Sequence, residues 1–250
     1  MIIPKMSTPI HTIDLLELDT NELNQKDKKP QRTLTKNLVK SNPSKTNQQI
    51  KSRDRVRDLA EVYTNKREVG NMLDLIKVAS YNSKTTFLEP ACGNGNFLVE
   101  ILDRKLMDLH SIFKSRRLPT QEKLEFEILN TVRTIYGIDI MTDNVVEARE
   151  RLTYRIKEFL SNNYGSLKIS QEFWQSLGWI LTQNIVVGDS LNNANNIVFW
   201  EYATPKIDQF NLKQFYLVPR NKELEGMFNE PTTLIRFNLI KYTELSTLLT

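Results

Sequence analysis

One turn concentrates residues that could do chemistry: Phe87 to Leu98, reading FLEPACGNGNFL. An apolar run ends in the carboxylate of Glu89, passes Pro90, crosses Gly93 and Gly95, and enters an apolar segment with helical spacing. Two more apolar runs end in acids, TIYGIDI at Asp139 and NIVVGD at Asp189. Continuous apolar runs mark strands of a parallel sheet buried on both faces, and ligands of such sheets sit beyond the carboxyl ends of the strands. Three carboxylates are therefore expected along one sheet edge. Carboxylates there can accept hydrogen bonds from an ammonium, a diol or an aromatic amine.

A GxGxxG turn before a helix ordinarily cradles a pyrophosphate. Here the third glycine is replaced by Leu98. That glycine permits close helix–strand packing in dinucleotide folds, so its loss counts against a nicotinamide or flavin cofactor. Three acids also suit a cation and hydroxyls better than a phosphate. S-adenosylmethionine, with its ammonium, sulfonium, ribose diol and adenine amine, meets both conditions. Two histidines and one cysteine leave little material for a transition-metal site, and no metal is expected. Cys92, flanked by apolar positions, is read as a small packed residue.

These groups need elements to hold them. Asn65 followed by Glu68 has the spacing of a capping box, and Val69, Met72, Leu73 and Ile76 give a helix running to about Ala79. TTFLE is a buried strand, and Phe97, Leu98, Ile101, Leu102 and Leu106 form one face of the helix after the glycines. Residues 114–120 are expected as a loop and Glu122 to Val132 as a helix. Thr142 or Asn144 can cap the helix after Asp139, whose inner face is Val145, Ala148, Leu152 and Ile156. FWQSLGWIL suggests a short buried helix within an ambiguous stretch. NIVFWEY and QFYLVP are strands able to form a hairpin, and a final helix is expected from about Pro231. The order β-α-(α)-β-α-β predicts an α/β fold with a parallel sheet.

At 250 residues the chain can build one good-sized core, and 40% hydrophobic with 26% charged residues is ordinary for a soluble protein. No apolar run approaches the roughly 18 residues of a membrane span, so no membrane partner is expected. The acids of the N-terminal stretch argue against a secretion signal, and a single cysteine suits a reducing compartment, so a cytoplasmic location is expected. The net charge of +4 is unevenly spread: Lys26 to Arg57 holds eleven Lys or Arg against Asp27 and Asp54. This stretch is poor in large apolar residues and is expected to be a disordered arm. It could contact nucleic-acid phosphates, or be a solvated linker.

EPACGNGNFL resembles the glycine-rich motif of the adenine-specific (N6) DNA methyltransferases, a class I S-adenosylmethionine-dependent family in which it reads D/E-PACGSGxFL. EVYTN, Glu61 to Asn65, is similar to the V-Y-T-P element that precedes it, and YGIDI and VVGDSL resemble the second and third cofactor motifs. The resemblance spans Arg53 to Leu191. It implies a Rossmann-like class I methyltransferase fold with a mostly parallel, C-terminally shortened sheet. Residues 1–52 would be the arm, 53–195 the cofactor domain, and 196–250 a hairpin and helix completing or capping the sheet.

The resemblance also assigns roles. Thr64, with Tyr63, would lie against the methionine end of S-adenosyl-L-methionine, and Glu89 would take its ammonium side. Gly93 and Gly95 would let the backbone approach. Asp139 would bind the ribose hydroxyls, Ile140 would lie against the adenine ring, and Asp189 would accept from the adenine amine. Pro90, Ala91 and Ser190 complete the cofactor set. Tyr63 could instead be a core aromatic, and Asp189 could cap the turn that follows it. The implied activity is site-specific methylation of adenine N6 in DNA, of restriction-modification type, with DNA met through the basic arm. The family's acceptor motif, N/D-P-P-Y/F/W, is absent from the sequence, so catalytic residues stay unassigned. Three explanations are open: a partner supplies the acceptor half, the chain is a cofactor- or DNA-binding subunit, or Tyr202, Glu201 or Asp208 serves an unfamiliar acceptor. A partner protein or oligomer could cover the shortened sheet.

Overall fold

A computed structural model describes residues 64–76, 82, 84–218 and 235–249. The basic arm, Tyr63 and the helix start expected at Pro231 lie outside the described residues. Among the described residues no helix is long and apolar enough to cross a membrane.

Asn65 caps α1 (Lys66–Asp74) by accepting from the Arg67 N–H at 3.0 Å. The helix stops short of the expected end near Ala79. The N–H groups of Leu75 and Ile76 bond only three residues back, at 3.2 Å, and Leu75 is 86% exposed. Among the described residues nothing covers that turn to hold it helical by packing. α2 (Asn96–Ser115) buries Leu98, Ile101, Leu102, Leu106, Leu109 and Phe113, the spacing of one helical face. α3 (Gln121–Val132) begins where the Thr120 hydroxyl accepts from Lys123 N–H. α4 (Thr142–Tyr164) buries Val145, Ala148, Leu152 and Ile156 as the sequence predicts. α5 (Gln171–Asn184) resolves the ambiguous stretch, with Ser170 as its cap.

Three parallel strands, β1 (Phe87–Glu89), β2 (Ile135–Asp139) and β3 (Ile185–Val187), pair in the order β1-β2-β3. The fold is thus α/β with a parallel three-stranded sheet. Strand ends are staggered: Glu89 lies level with Gly137, so Asp139 stands two residues further out. One face of β2 meets α2. A Cβ on Gly137 would come within 2.8 Å of a Leu98 methyl carbon and 3.1 Å of the Cys92 sulfur. The close helix–sheet approach that a third glycine usually permits is supplied here from the strand side.

The other face of the parallel sheet carries Tyr136 and Ile138, which cluster with Ile197 and Phe199. Phe199 belongs to a second, antiparallel sheet of β4 (Val198–Lys206), β5 (Gln209–Tyr216) and β6 (Arg236–Lys241), in that order. The expected hairpin is present as β4–β5, but its sheet is not an extension of the parallel one. Its third strand and a 3₁₀ helix (Tyr242–Leu249) occupy residues read from the sequence as part of a final helix. Long-range pairing decides this: Leu212 opposes Phe237 and Phe210 opposes Ile240, with a register shift between them. At that bulge Leu239 takes φ 55° and donates its N–H to the Asn211 side chain at 2.8 Å.

A polar seam joins the second sheet to the amino-terminal end of the first. Arg133 donates to the Tyr202 carbonyl at 2.6 Å and the Tyr136 hydroxyl to the Trp200 carbonyl at 2.7 Å. The Tyr202 hydroxyl donates to Asn184, whose amide in turn bonds the carbonyls of Arg133 and Ile135. Glu125, also buried, accepts from the Ser170 N–H and hydroxyl and from the Tyr242 hydroxyl, tying α3, α5 and the C-terminal 3₁₀ helix together.

Lys105 on α2 is 0% exposed. Its ammonium donates to the carbonyls of Asn82 and Thr85, just before β1, and to the Thr134 hydroxyl, just before β2. Burial, reinforced by Arg133, pulls its pKa from 10.5 down to about 8. The unfolded chain therefore binds more protons between those values, so the cost of burying this charge is full below pH 8 and relieved as pH rises to 10.5. Urea unfolding of the native chain and of Lys105→Met checks this. The stability difference should shift toward the native chain by on the order of 2–3 kcal/mol across that window. A pH-independent difference would contradict it.

Candidate ligand site at the carboxyl edge of the parallel sheet

The turn after β1 is built by donors and acceptors of its neighbours. Cys92 N–H continues the ladder to the Ile138 carbonyl at 2.8 Å, and Gly95 N–H closes onto the Cys92 carbonyl at 2.9 Å. Gly93 (φ 52°) and Gly95 (φ 87°) both take left-handed conformations that favour glycine. Gly95 has a second reason to lack a side chain: a Cβ there would lie 2.9 Å from the Ala148 Cβ on α4. α4 grips the turn further through Glu147, which accepts from the Asn94 amide at 2.7 Å, and Arg151, which donates to the Asn94 carbonyl at 2.6 Å. The Asn96 side chain donates to the Thr64 carbonyl at 2.9 Å, which brings half-buried Thr64 to the start of α2.

The three strand-end acids have different surroundings. Asp139 is the one tied to a distant turn: one oxygen accepts from Gly93 N–H at 2.9 Å, the other from Met141 N–H at 2.9 Å and the Asn144 amide at 3.2 Å. Neither Thr142 nor Asn144 caps α4, as the sequence had suggested. The N-cap is Met141, without a side-chain bond, because the Asp139 carboxylate serves the helix start from outside. Glu89, half-buried, accepts one long bond from Ala91 N–H at 3.3 Å and has no other partner among the described residues. Asp189 accepts from the N–H groups of Leu191 and Asn192 and from the Asn192 amide, all at 2.8–2.9 Å. Those bonds hold its carboxyl below the usual range.

Ile140 sits at the rim, 55% exposed, and Pro90 and Ala91 are exposed at the β1 turn. The Ser190 hydroxyl donates to the Pro90 carbonyl at 2.8 Å. Cys92 is buried between strand and helix, and its thiol is pushed up to about 12 by burial, with the nearby charges of Asp139 and Glu89 adding to the effect. It is a packed residue, with no thiolate available near neutrality. Among the described residues no group of three or more His, Cys, Asp or Glu side chains could hold a metal ion.

The structure brings Thr64, Glu89, Gly93, Gly95 and Asp139 into one neighbourhood at this edge, with Ile140 and Ser190 on its rim. It does not bring Tyr202, Glu201 or Asp208 there. The buried Tyr202 bonds Asn184 at the opposite, amino-terminal end of the sheet, and Asp208 lies in the β4–β5 turn with φ 70°. An acceptor role for these three at this edge is thereby corrected. Sequence reasoning did not single out Gly137, Glu147 or Arg151, and it offered Asn144 only as a helix cap rather than as a partner of Asp139. Of these only Gly137 carried a signal, a glycine inside a strand where another element must approach closely.

No protein-family model and no solved structure matches the chain. A curated protein that does match, the mitochondrial amino-acid acetyltransferase of Lodderomyces elongisporus, is 23% identical over 133 residues. The match covers 51% of this chain and 22% of that protein, so the chain spans about a fifth of its relative's length. This likeness overturns the reading as an S-adenosylmethionine-dependent methyltransferase acting on adenine N6 of DNA. The relative is named for transfer of an acetyl group, and this chain also lacks the acceptor motif that methylation of adenine would need.

Replacing Gly95 tests the packing of the turn. Gly95→Ala should lose about 2–4 kcal/mol of unfolding free energy, from the left-handed backbone and the clash with Ala148 together. Chemical denaturation reads this directly, and a change under 1 kcal/mol would show that the turn can move off α4.

Proposed function

We propose that the carboxyl edge of the parallel sheet binds S-adenosylmethionine, as a shortened Rossmann-like domain of the class that holds this cofactor. The observation that carries the reading is Glu89. Of the three strand-end acids it alone keeps its carboxylate nearly uncommitted among the described residues, beside a glycine turn that admits close approach. A half-buried carboxylate with open acceptor directions suits the ligand's ammonium. Asp139 has about four acceptor directions and uses three, so a ribose hydroxyl finds one open. A second would come by displacing the Asn144 amide, the longest of its bonds at 3.2 Å. Asp189 also has one direction left, but its three bonds are all at 2.8–2.9 Å within its own turn, so it has no long bond to give up and contributes less to an adenine amine.

Acetyl coenzyme A is the ligand to compare, given the likeness to an acetyltransferase. Its phosphates would be set against Glu89 and Asp139, and like charges oppose binding. Calorimetric titration of the full chain with each compound separates them. S-adenosylmethionine should bind, Glu89→Gln should weaken it about 10- to 100-fold, and Asp189→Asn should change it less than about 3-fold. No heat with S-adenosylmethionine at millimolar concentration would end this reading, and binding of acetyl coenzyme A alone would replace it.

We further propose DNA as a partner of Lys26 to Arg57, on the strength of eleven basic residues against two acids. Phosphate contacts release counterions, so affinity should fall steeply with salt. Fluorescence anisotropy with duplex DNA should give a log–log salt slope that flattens when residues 1–50 are removed. An unchanged slope would return the stretch to a linker.

A further inference from the structure

The Ser190–Pro90 hydrogen bond joins turns 100 residues apart in sequence. Ser190 follows β3 and Pro90 follows β1, and β2 lies between those strands. Neighbouring strands are about 4.8 Å apart, so the outer two are about 10 Å apart at their ends. A bond of 2.8 Å between their turns means that the two turns together cross this gap beyond the end of β2, the strand that ends in Asp139. Each turn is held by its own hydrogen bonds. The Asp189 carboxylate accepts from Leu191 and Asn192, and Asn193 N–H bonds the Asp189 carbonyl at 3.0 Å, which fixes the direction of Ser190. On the other side the Pro90 ring fixes its own φ, and Glu89 and Asp139 hold the residues that follow.

We propose that Ser190 and Pro90 form a strap over the carboxyl end of β2, which opens to admit or release a ligand and closes over it. This rests on the reading that the edge binds S-adenosylmethionine. Ser190, placed in the cofactor set by resemblance, thereby becomes a positioning residue. The bond is exposed and links two neutral groups, so it opens readily. Leu191, on the strap itself, is 91% exposed, and Ile140 faces solvent on the rim. Both are apolar surfaces that a planar base entering under the strap would cover.

Two measurements on the full chain test the strap. In hydrogen exchange of the free protein, Ser190→Ala should speed exchange about 3- to 10-fold at the amides of Leu191, Asn192 and Gly93, the size expected for one neutral hydrogen bond. Ser190→Thr, which keeps the hydroxyl, should match the native chain. Surface plasmon resonance with S-adenosylmethionine should then give association and dissociation rates both raised about 3- to 10-fold in Ser190→Ala, with Kd nearly unchanged. Unchanged exchange overturns the strap whatever the ligand does. A weakened Kd with an unchanged association rate also overturns it, making Ser190 a ligand contact. If the native chain binds no S-adenosylmethionine while Ser190→Ala still speeds exchange, the strap stands and the ligand assignment fails.

Discussion

The carboxylate of Asp139 is the interaction on which the candidate site depends. It stands at the end of the central strand of the parallel sheet and accepts from the glycine turn after β1, from the start of α4 and from Asn144 inside that helix. One anionic group therefore fixes two segments against the end of β2, the glycine turn 46 residues earlier and the start of α4. Hydrogen bonds to an ionised acceptor are about twice as strong as neutral ones, which suits a point where so much geometry meets. α4 reinforces it through Glu147, Arg151 and the tight contact of Gly95 with Ala148.

The scaffold behind this point is divided by face. Helices cover one side of the parallel sheet, approaching closely because Gly137 leaves room for Leu98 and Cys92. The antiparallel sheet covers the other side around Tyr136 and Ile138, and its polar seam is concentrated at the amino-terminal end of the parallel strands. The buried polar bonds of the scaffold, those of Lys105 included, gather at that end, away from the edge that presents Glu89, Asp139 and Ser190. The turns of the candidate site are thus carried on a well-packed base while keeping exposed polar bonds of their own.

The functional picture is narrower than the resemblance implied and better differentiated. Three acids that look equivalent in sequence divide into one that organises the turn, one that caps its own loop and one that is open to a ligand. The likeness to an amino-acid acetyltransferase removes DNA adenine methylation as the activity, and the placement of Tyr202 at the wrong end of the sheet removes it as an acceptor here. Binding at the carboxyl edge is the reading we propose from the chemistry of the turn, and the strap rests on it.

The sequence by itself determined the parallel strands, the helices after Gly95 and after Asp139, and the β4–β5 hairpin. Each rests on a local signal: a continuous apolar run, a 3.6-residue periodicity, or two strand-like runs close in sequence. It also determined that Glu89 and Asp139 share an edge, because a strand's end and the sheet's direction follow from order alone. Only the tertiary structure decided how the acids differ, since which N–H groups reach a carboxylate depends on turns packed from afar. The strand at Arg236–Lys241 was hidden for the same reason: its pairing partner is Gln209–Lys213, and no local period reports a long-range ladder. Lys105 and Gly137 complete the point. A buried ammonium and a missing side chain have meaning only through what surrounds them, and that is settled by packing rather than by spacing along the chain.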